Sequence, residues 1–110
     1  MIQRDPMITK KGNFYINDKV IISVVMIFIA RNHYIILDDK NNALTDENNN
    51  VDFKVLNNKR NQIWEFKGEI TTSVQLLNSK GYYLNYKEDT KKYYMDEYTT
   101  NQVSLKLSEA

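Results

Sequence analysis

The sequence predicts an all-β protein, and two observations carry that prediction. Short segments of alternating apolar and polar residues, rich in β-branched and aromatic side chains, recur along the 110-residue chain. Clusters of asparagine, aspartate, glycine and lysine, which are typical of tight turns, separate these segments. We find no segment with the 3.6-residue apolar stripe of an amphipathic helix.

The alternation predicts nine strands, and turn clusters lie between them. The expected strands are residues 14–16, 20–29, 34–37, 51–56, 63–66, 70–77, 82–86, 93–95 and 103–107. The expected turns are residues 11–13, 17–18, 38–42, 48–50, 57–58, 67–68 and 79–81. The longest apolar run, residues 20–30, follows a polar lead and is better explained by a buried strand or strand pair than by a signal peptide.

A repeated pattern indicates how these strands are organised. Residues 32–38, with the sequence NHYIILD, are similar to residues 80–85, with the sequence KGYYLN. Each segment is followed by an Asn-Gln pair, and the two asparagines, Asn61 and Asn101, are forty residues apart (101 − 61). This period suits a unit of three or four strands and is too long for one hairpin.

The first copy of the repeat is short. Residues 11–17, KGNFYIN, resemble residues 80–85 but run almost at once into the long apolar run. Because one such unit cannot bury its apolar face alone, the copies must pack against one another. We therefore predict a β-trefoil-like small barrel of repeated β-hairpin units with a truncated first repeat, the alternative being an open sandwich.

Composition narrows the classes of function. The length suits a single domain over residues 1–110. Fifteen basic and fourteen acidic residues are interspersed along the chain, so neither a nucleic-acid partner nor an anionic membrane is indicated. No run reaches the ~18 apolar residues of a membrane span, so we expect no membrane insertion. The absence of cysteine excludes a disulfide framework and leaves the compartment open, cytoplasmic or non-classically released.

Residues 61–70, NQIWEFKGEI, resemble the Gln-x-Trp motif of ricin-type β-trefoil lectins. In that family a strand ending in Leu-Asp precedes the motif, and Leu37-Asp38 takes that place here. The resemblance implies a carbohydrate-binding, lectin-like module for which the partner is a carbohydrate or glycoprotein.

The same resemblance implies roles for four site residues. Asp38 and Asn61 would bind sugar hydroxyls, Gln62 would orient Asp38, and Phe53 would stack on the sugar ring. Carboxylates and amides suit hydroxyl groups, and an aromatic face suits the C–H face of a pyranose. Trp64 and Phe66 lie on one face of a strand and are expected in the core.

The second copy departs from the lectin pattern. Ser104 stands where a second Trp64 is expected, and Val103 and Leu105 have the opposite parity, which indicates a one-residue offset. Asn85 stands where an aspartate is expected after Leu84. We therefore predict one sugar site.

Residues 74–84 also resemble the repeat of fascin and hisactophilin-type trefoils. That resemblance implies an alternative function, a protein-interaction trefoil such as a cytoskeletal binder, toxin-complex component or inhibitor. Tyrosine-rich loops with Tyr93, Tyr94 and Tyr98 would form its binding surface, and about half of the six tyrosines between positions 82 and 98 are expected to be buried. A homodimer is a further possibility, because a second chain could complete the truncated repeat.

The sequence predicts no enzyme, cofactor or metal site. His33 is the only histidine, and without cysteine it has no partner for a zinc site. The adjacent carboxylates, such as Asp38-Asp39, are typical of solvated turns. We find neither a glycine-rich phosphate loop nor a nucleophile signature.

Overall fold

The computed structural model describes residues 9–108 and confirms the all-β prediction. A short 3₁₀ helix, Arg60–Gln62, is the only helix in that part of the chain, and none there is long and apolar enough to cross a bilayer. The strands are β1 (Thr9–Ile16), β2 (Lys19–Ala30), β3 (His33–Leu37), β4 (Ala43–Glu47), β5 (Asn50–Lys54), β6 (Trp64–Glu69), β7 (Ser73–Leu77), β8 (Tyr83–Lys87), β9 (Lys92–Asp96) and β10 (Ser104–Leu107).

Six of the strands close a barrel. β1 pairs with β2, β2 with β3, β3 with β6, β6 with β7, β7 with β10 and β10 with β1, and every pairing is antiparallel. The pair Tyr34 and Trp64 joins β3 to β6, and the pair Val74 and Leu105 joins β7 to β10. A closed barrel leaves its strands without the free edges of an open sheet.

Two hairpins cap one end of the barrel, and a third is missing. The hairpins β4–β5 and β8–β9 contact each other where Val51 pairs with Tyr93. β1 instead runs directly into β2 through Asn17 and Asp18, which both have positive φ, as a two-residue type I′ turn requires. The start of β3 lies 24 residues after that of β1 (33 − 9) and 40 before that of β7 (73 − 33). The structure is therefore β-trefoil-like with a truncated first repeat, as predicted.

The forty-residue period holds from β3 and β4 to β7 and β8, but the copies match differently from the prediction. Asp38 corresponds to Asn78, at the end of β7, and the prediction that matched it to Asn85 is wrong. Oδ1 of Asp38 accepts hydrogen bonds of 2.9 Å from the backbone N–H groups two and four residues further on. Oδ1 of Asn78 accepts the same two bonds at 3.0 Å. The two turns are therefore built alike.

The predicted turn at residues 11–13 lies inside β1. Gly12 is buried where β10 approaches closely, and a Cβ atom there would lie 2.6 Å from the carbonyl oxygen of Lys106 and 2.8 Å from Cε of Met26. Glycine is thus required for close packing at this position and does not mark a turn.

The strand β4 was not predicted from the sequence. Its residues Ala43, Leu44 and Thr45 are all buried, so the segment lacks the alternation that identifies a half-buried strand. The long apolar run is the single strand β2, in which only Val24 and Met26 are buried.

Trp64 and Phe66 lie in the core, as predicted. Nε1 of Trp64 donates a hydrogen bond of 2.9 Å to the carbonyl oxygen of Leu44, which satisfies the buried indole. Val103 and Leu105 are buried on either side of half-buried Ser104, so the predicted one-residue offset is confirmed.

The tyrosines and asparagines lie mainly outside the core. None of the six tyrosines from 82 to 98 is fully buried, so the prediction that half of them would be buried is wrong. Six of the fourteen asparagines have positive φ, a conformation that asparagine tolerates better than most residues. Much of the asparagine content therefore serves turns.

Candidate functional site

The missing third hairpin leaves a cleft at the capped end of the barrel, which we call the cap cleft. Its volume is about 680 Å³. It is lined by residues 21–23 of β2, by the turn 38–40 and by the hairpin residues Phe53, Tyr86, Lys91 and Tyr93.

The missing hairpin explains why part of the cleft wall is uncovered. In the cap, Val51 of the first hairpin pairs with Tyr93 of the second. These two residues are equivalent, because Val51 pairs with Asp46 in its own hairpin and Tyr93 pairs with Tyr86, forty residues after Asp46 (86 − 46). A third hairpin would contact this same position, and without it Tyr93 lines the cap cleft together with Phe53 and Lys91.

Asp38 is uncovered for the same reason. At the equivalent position, Nδ2 of Asn78 donates a hydrogen bond of 2.9 Å to Oδ2 of Asp46, which belongs to the preceding hairpin. The unit before Asp38 has no hairpin to supply such a contact. Both backbone hydrogen bonds to Asp38 end on Oδ1, so Oδ2 is not used in holding the turn.

Aromatic rings form one side of the cap cleft. The ring of Tyr93 packs edge-on against Phe53 at 6.1 Å and Phe14 at 6.0 Å between centroids, and it is tilted against Tyr86 at 4.8 Å. Burial raises the pKa of Tyr93 well above its ordinary value, and Tyr86 and the charge of Asp52 raise it further. The phenol therefore keeps its proton at neutral pH and can donate a hydrogen bond.

Gln62 does not contact Asp38, and the prediction that it orients this carboxylate is wrong. Gln62 is buried, its Oε1 accepts a hydrogen bond of 2.8 Å from the backbone N–H of Asn57, and its Nε2 donates bonds of 2.9 Å to Oγ1 of Thr45 and to the carbonyl oxygen of Val55. Gln62 therefore holds the segment after β5 against β4.

Asn61 lies in a different place from Asp38. It lines a separate cavity of about 220 Å³, together with Asp46, Arg60 and Asn78. Its buried Oδ1 has no hydrogen-bond partner, whereas Nδ2 of the equivalent Asn101 donates to the Tyr94 hydroxyl at 2.9 Å. Of the four predicted site residues, the structure thus brings together Asp38 and Phe53 and separates both from Asn61 and Gln62.

Sequence reasoning missed Lys91 as a site residue. Lys91 lies in the loop between β8 and β9, residues 88–91, which is two residues longer than the loop 48–49 between β4 and β5, so a fixed forty-residue period does not place it. Among residues 9–108, no group of three or more histidine, aspartate or glutamate side chains is arranged to hold a metal ion.

Comparison with known proteins identifies the fold. Neither a family model nor a curated protein sequence matches the chain. The crystal structure of a designed 3-fold symmetric protein, ThreeFoil, matches 80% of this chain and 72% of its own, with a TM-score of 0.65 and 16% identity. A GH43 β-1,3-galactosidase matches 92% of this chain with a TM-score of 0.69 and 12% identity, and this chain spans only 29% of its length. At these identities the likeness shows the fold alone, which is β-trefoil-like.

Proposed function

We propose that the protein is a non-enzymatic carbohydrate-binding module and that the cap cleft is its binding site. The observation that carries this proposal is the presence of the Asp38 carboxylate and the Phe53, Tyr86 and Tyr93 rings around one open cleft.

The chemistry of the cleft suits a sugar. Its volume of about 680 Å³ lies within the range of small-molecule sites. Oδ2 of Asp38 can accept hydrogen bonds from sugar hydroxyls, which are donors as well as acceptors. The half-buried ring of Phe53 offers an apolar surface to the C–H face of a pyranose, and the neutral Tyr93 hydroxyl adds a donor.

One of the two similar structures is named as a galactosidase, an enzyme that acts on carbohydrate. This agrees with the proposal. It does not identify any binding residue of this chain, because the similarity is one of fold. The proposal therefore depends on the cap cleft itself.

A glycan array at high protein density tests the proposal, because weak single sites gain from multivalent display. The decisive variant is Asp38→Asn. Asn78 holds the equivalent turn with its Oδ1, so asparagine preserves the turn at position 38 and removes only the charge. We expect the wild type to bind and both Asp38→Asn and Phe53→Ala to bind at least about tenfold more weakly.

Tyr98→Ala is the matched control. Tyr98 is 64% exposed and lies outside the cap cleft, so its removal should leave sugar binding unchanged. Binding that survives both cleft substitutions would contradict the assigned site, and a blank array would contradict the function. The alternative, a protein-interaction trefoil using the tyrosine-rich loops, predicts instead that Tyr98→Ala weakens binding to a protein partner.

A further inference from the structure

We infer that the ligand of the cap cleft is an anionic oligosaccharide whose carboxylate or sulfate group is bound by Lys91. This inference rests on the proposed carbohydrate function and narrows its ligand to one chemical class. Three observations on the described residues support it.

First, a second cleft adjoins the cap cleft. This second cleft has a volume of about 430 Å³ and shares Lys91 and Tyr93 with the cap cleft. Residues 50–52 and Lys54 of β5 form its opposite wall. A ligand that reaches from Asp38 past Lys91 into the second cleft must be longer than one sugar ring, because it contacts residues of both clefts.

Second, the charge changes along this path. The cap cleft has two aspartates, Asp38 and Asp39, opposed by Lys40 and Lys91, whereas the second cleft has three lysines and only Asp52. A uniformly anionic end of the ligand would be repelled at the two aspartates and attracted at the three lysines.

The lysines at the second cleft are not equivalent. Nζ of Lys54 forms an ion pair of 3.0 Å with Glu47. The other ion pair within residues 9–108 joins Lys106 to Asp18, so Lys91 and Lys92 take part in neither. Their ammonium groups are therefore available to an anionic ligand, and Lys91 is the one that both clefts share.

Third, the backbone at Lys91 is unusual for this chain. Among residues 9–108, eight non-glycine residues have positive φ, and seven of them are asparagine or aspartate, the residues that tolerate this region. Lys91, with φ of 56°, is the exception. Its side chain lies at the junction of the two clefts, where its ammonium group can reach a ligand in either.

The test is a glycan array that carries neutral, carboxylated and sulfated oligosaccharides of matched length, probed with wild type, Lys91→Asn and the control Lys10→Gln. Asparagine suits the backbone at position 91, so this variant should fold, and it removes the ammonium group together with most of the side-chain length. Lys10 is exposed on β1 and lines neither cleft. We expect binding to carboxylated or sulfated members that falls about tenfold or more in Lys91→Asn, is unchanged in Lys10→Gln and weakens as salt rises from about 0.05 to about 0.3 M. Selectivity for one acidic class then identifies the anion.

Each other outcome contradicts a defined part of the account. Equal binding of neutral and acidic members, unaffected by Lys91→Asn, would overturn the anionic ligand and leave the carbohydrate function standing. Acid-selective binding that Lys91→Asn does not change would overturn the role of Lys91. A blank array for all three classes, with the protein shown to be folded, would overturn the inference and the proposed function together.

Discussion

Asp38 and Asn78, forty residues apart, hold the same turn through Oδ1, but only Asn78 is also bonded to a hairpin, through Asp46. This difference follows from the truncated first repeat, which has no hairpin to place beside Asp38. The truncated first repeat therefore creates the cap cleft and leaves the Asp38 carboxylate in the wall of this cleft.

The first prediction concerns the stability of this turn. Asp38→Ala removes the acceptor of two backbone hydrogen bonds and should lower the free energy of unfolding by about 1 to 2 kcal/mol. Asp38→Asn should lower it by less than about 0.5 kcal/mol, because an amide oxygen supports the turn at Asn78. Urea denaturation of both variants checks this. Equal destabilisation by the two substitutions would contradict the equivalence of the turns.

The second prediction concerns Gln62. Gln62→Ala leaves buried partners at Thr45, Val55 and Asn57 without their hydrogen bonds and opens a small cavity, so it should cost about 2 to 4 kcal/mol of unfolding free energy. Sugar binding by the fraction that remains folded should be unchanged, since Gln62 lies outside the cap cleft. If the variant keeps full stability and loses binding, Gln62 belongs to the site after all.

The third prediction concerns backbone strain at Lys91. Lys91→Asn should raise the free energy of unfolding by about 0.5 to 1 kcal/mol, because asparagine accepts positive φ more readily than lysine. Thermal or urea unfolding measures the change, and Lys92→Asn, in the regular strand β9, serves as the comparison. A loss of stability in Lys91→Asn equal to that in Lys92→Asn would show that the backbone at position 91 carries no strain.

The fourth prediction concerns alkaline pH. The pKa of Tyr93 is raised in the folded protein, chiefly by burial, so folding favours the protonated phenol. The stability that this contributes is fully present below the unfolded-state pKa of about 10 and is lost as pH rises above it. Tyr93→Phe should therefore show a shallower fall in stability above about pH 10 than the wild type. Identical pH profiles from urea denaturation of the two proteins would refute the assignment.

The repeat pattern and the turn residues were enough to predict much of the fold. The period of forty residues, the all-β class and the short first unit are properties of local sequence, and all three are present in the structure. The strand β4 was missed because Ala43, Leu44 and Thr45 are all buried, which removes the alternation on which strand prediction depends. Without β4, the copies were matched one strand out of place.

The site could be predicted only in part, for a physical reason. The cap cleft exists because a hairpin is absent, and no local sequence motif indicates where a hairpin is missing. Asp38 and Phe53 were found through their chemistry, whereas Lys91 becomes significant only when the fold places it beside Phe53 and Tyr93. The Gln-x-Trp segment indicated a binding role for Gln62, but in the fold this side chain satisfies backbone and hydroxyl groups inside the protein.

The most direct test of the central claim is a two-dimensional ¹H–¹⁵N NMR titration of the wild-type protein with an oligosaccharide selected on the array. The account predicts that the amide shifts that change lie at residues 21–23, 38–40, 53, 86 and 91–93, around the cap cleft. Shift changes centred on residues 60–64 and 78–80, beside Asn61, or no shift change at saturating sugar, would contradict it.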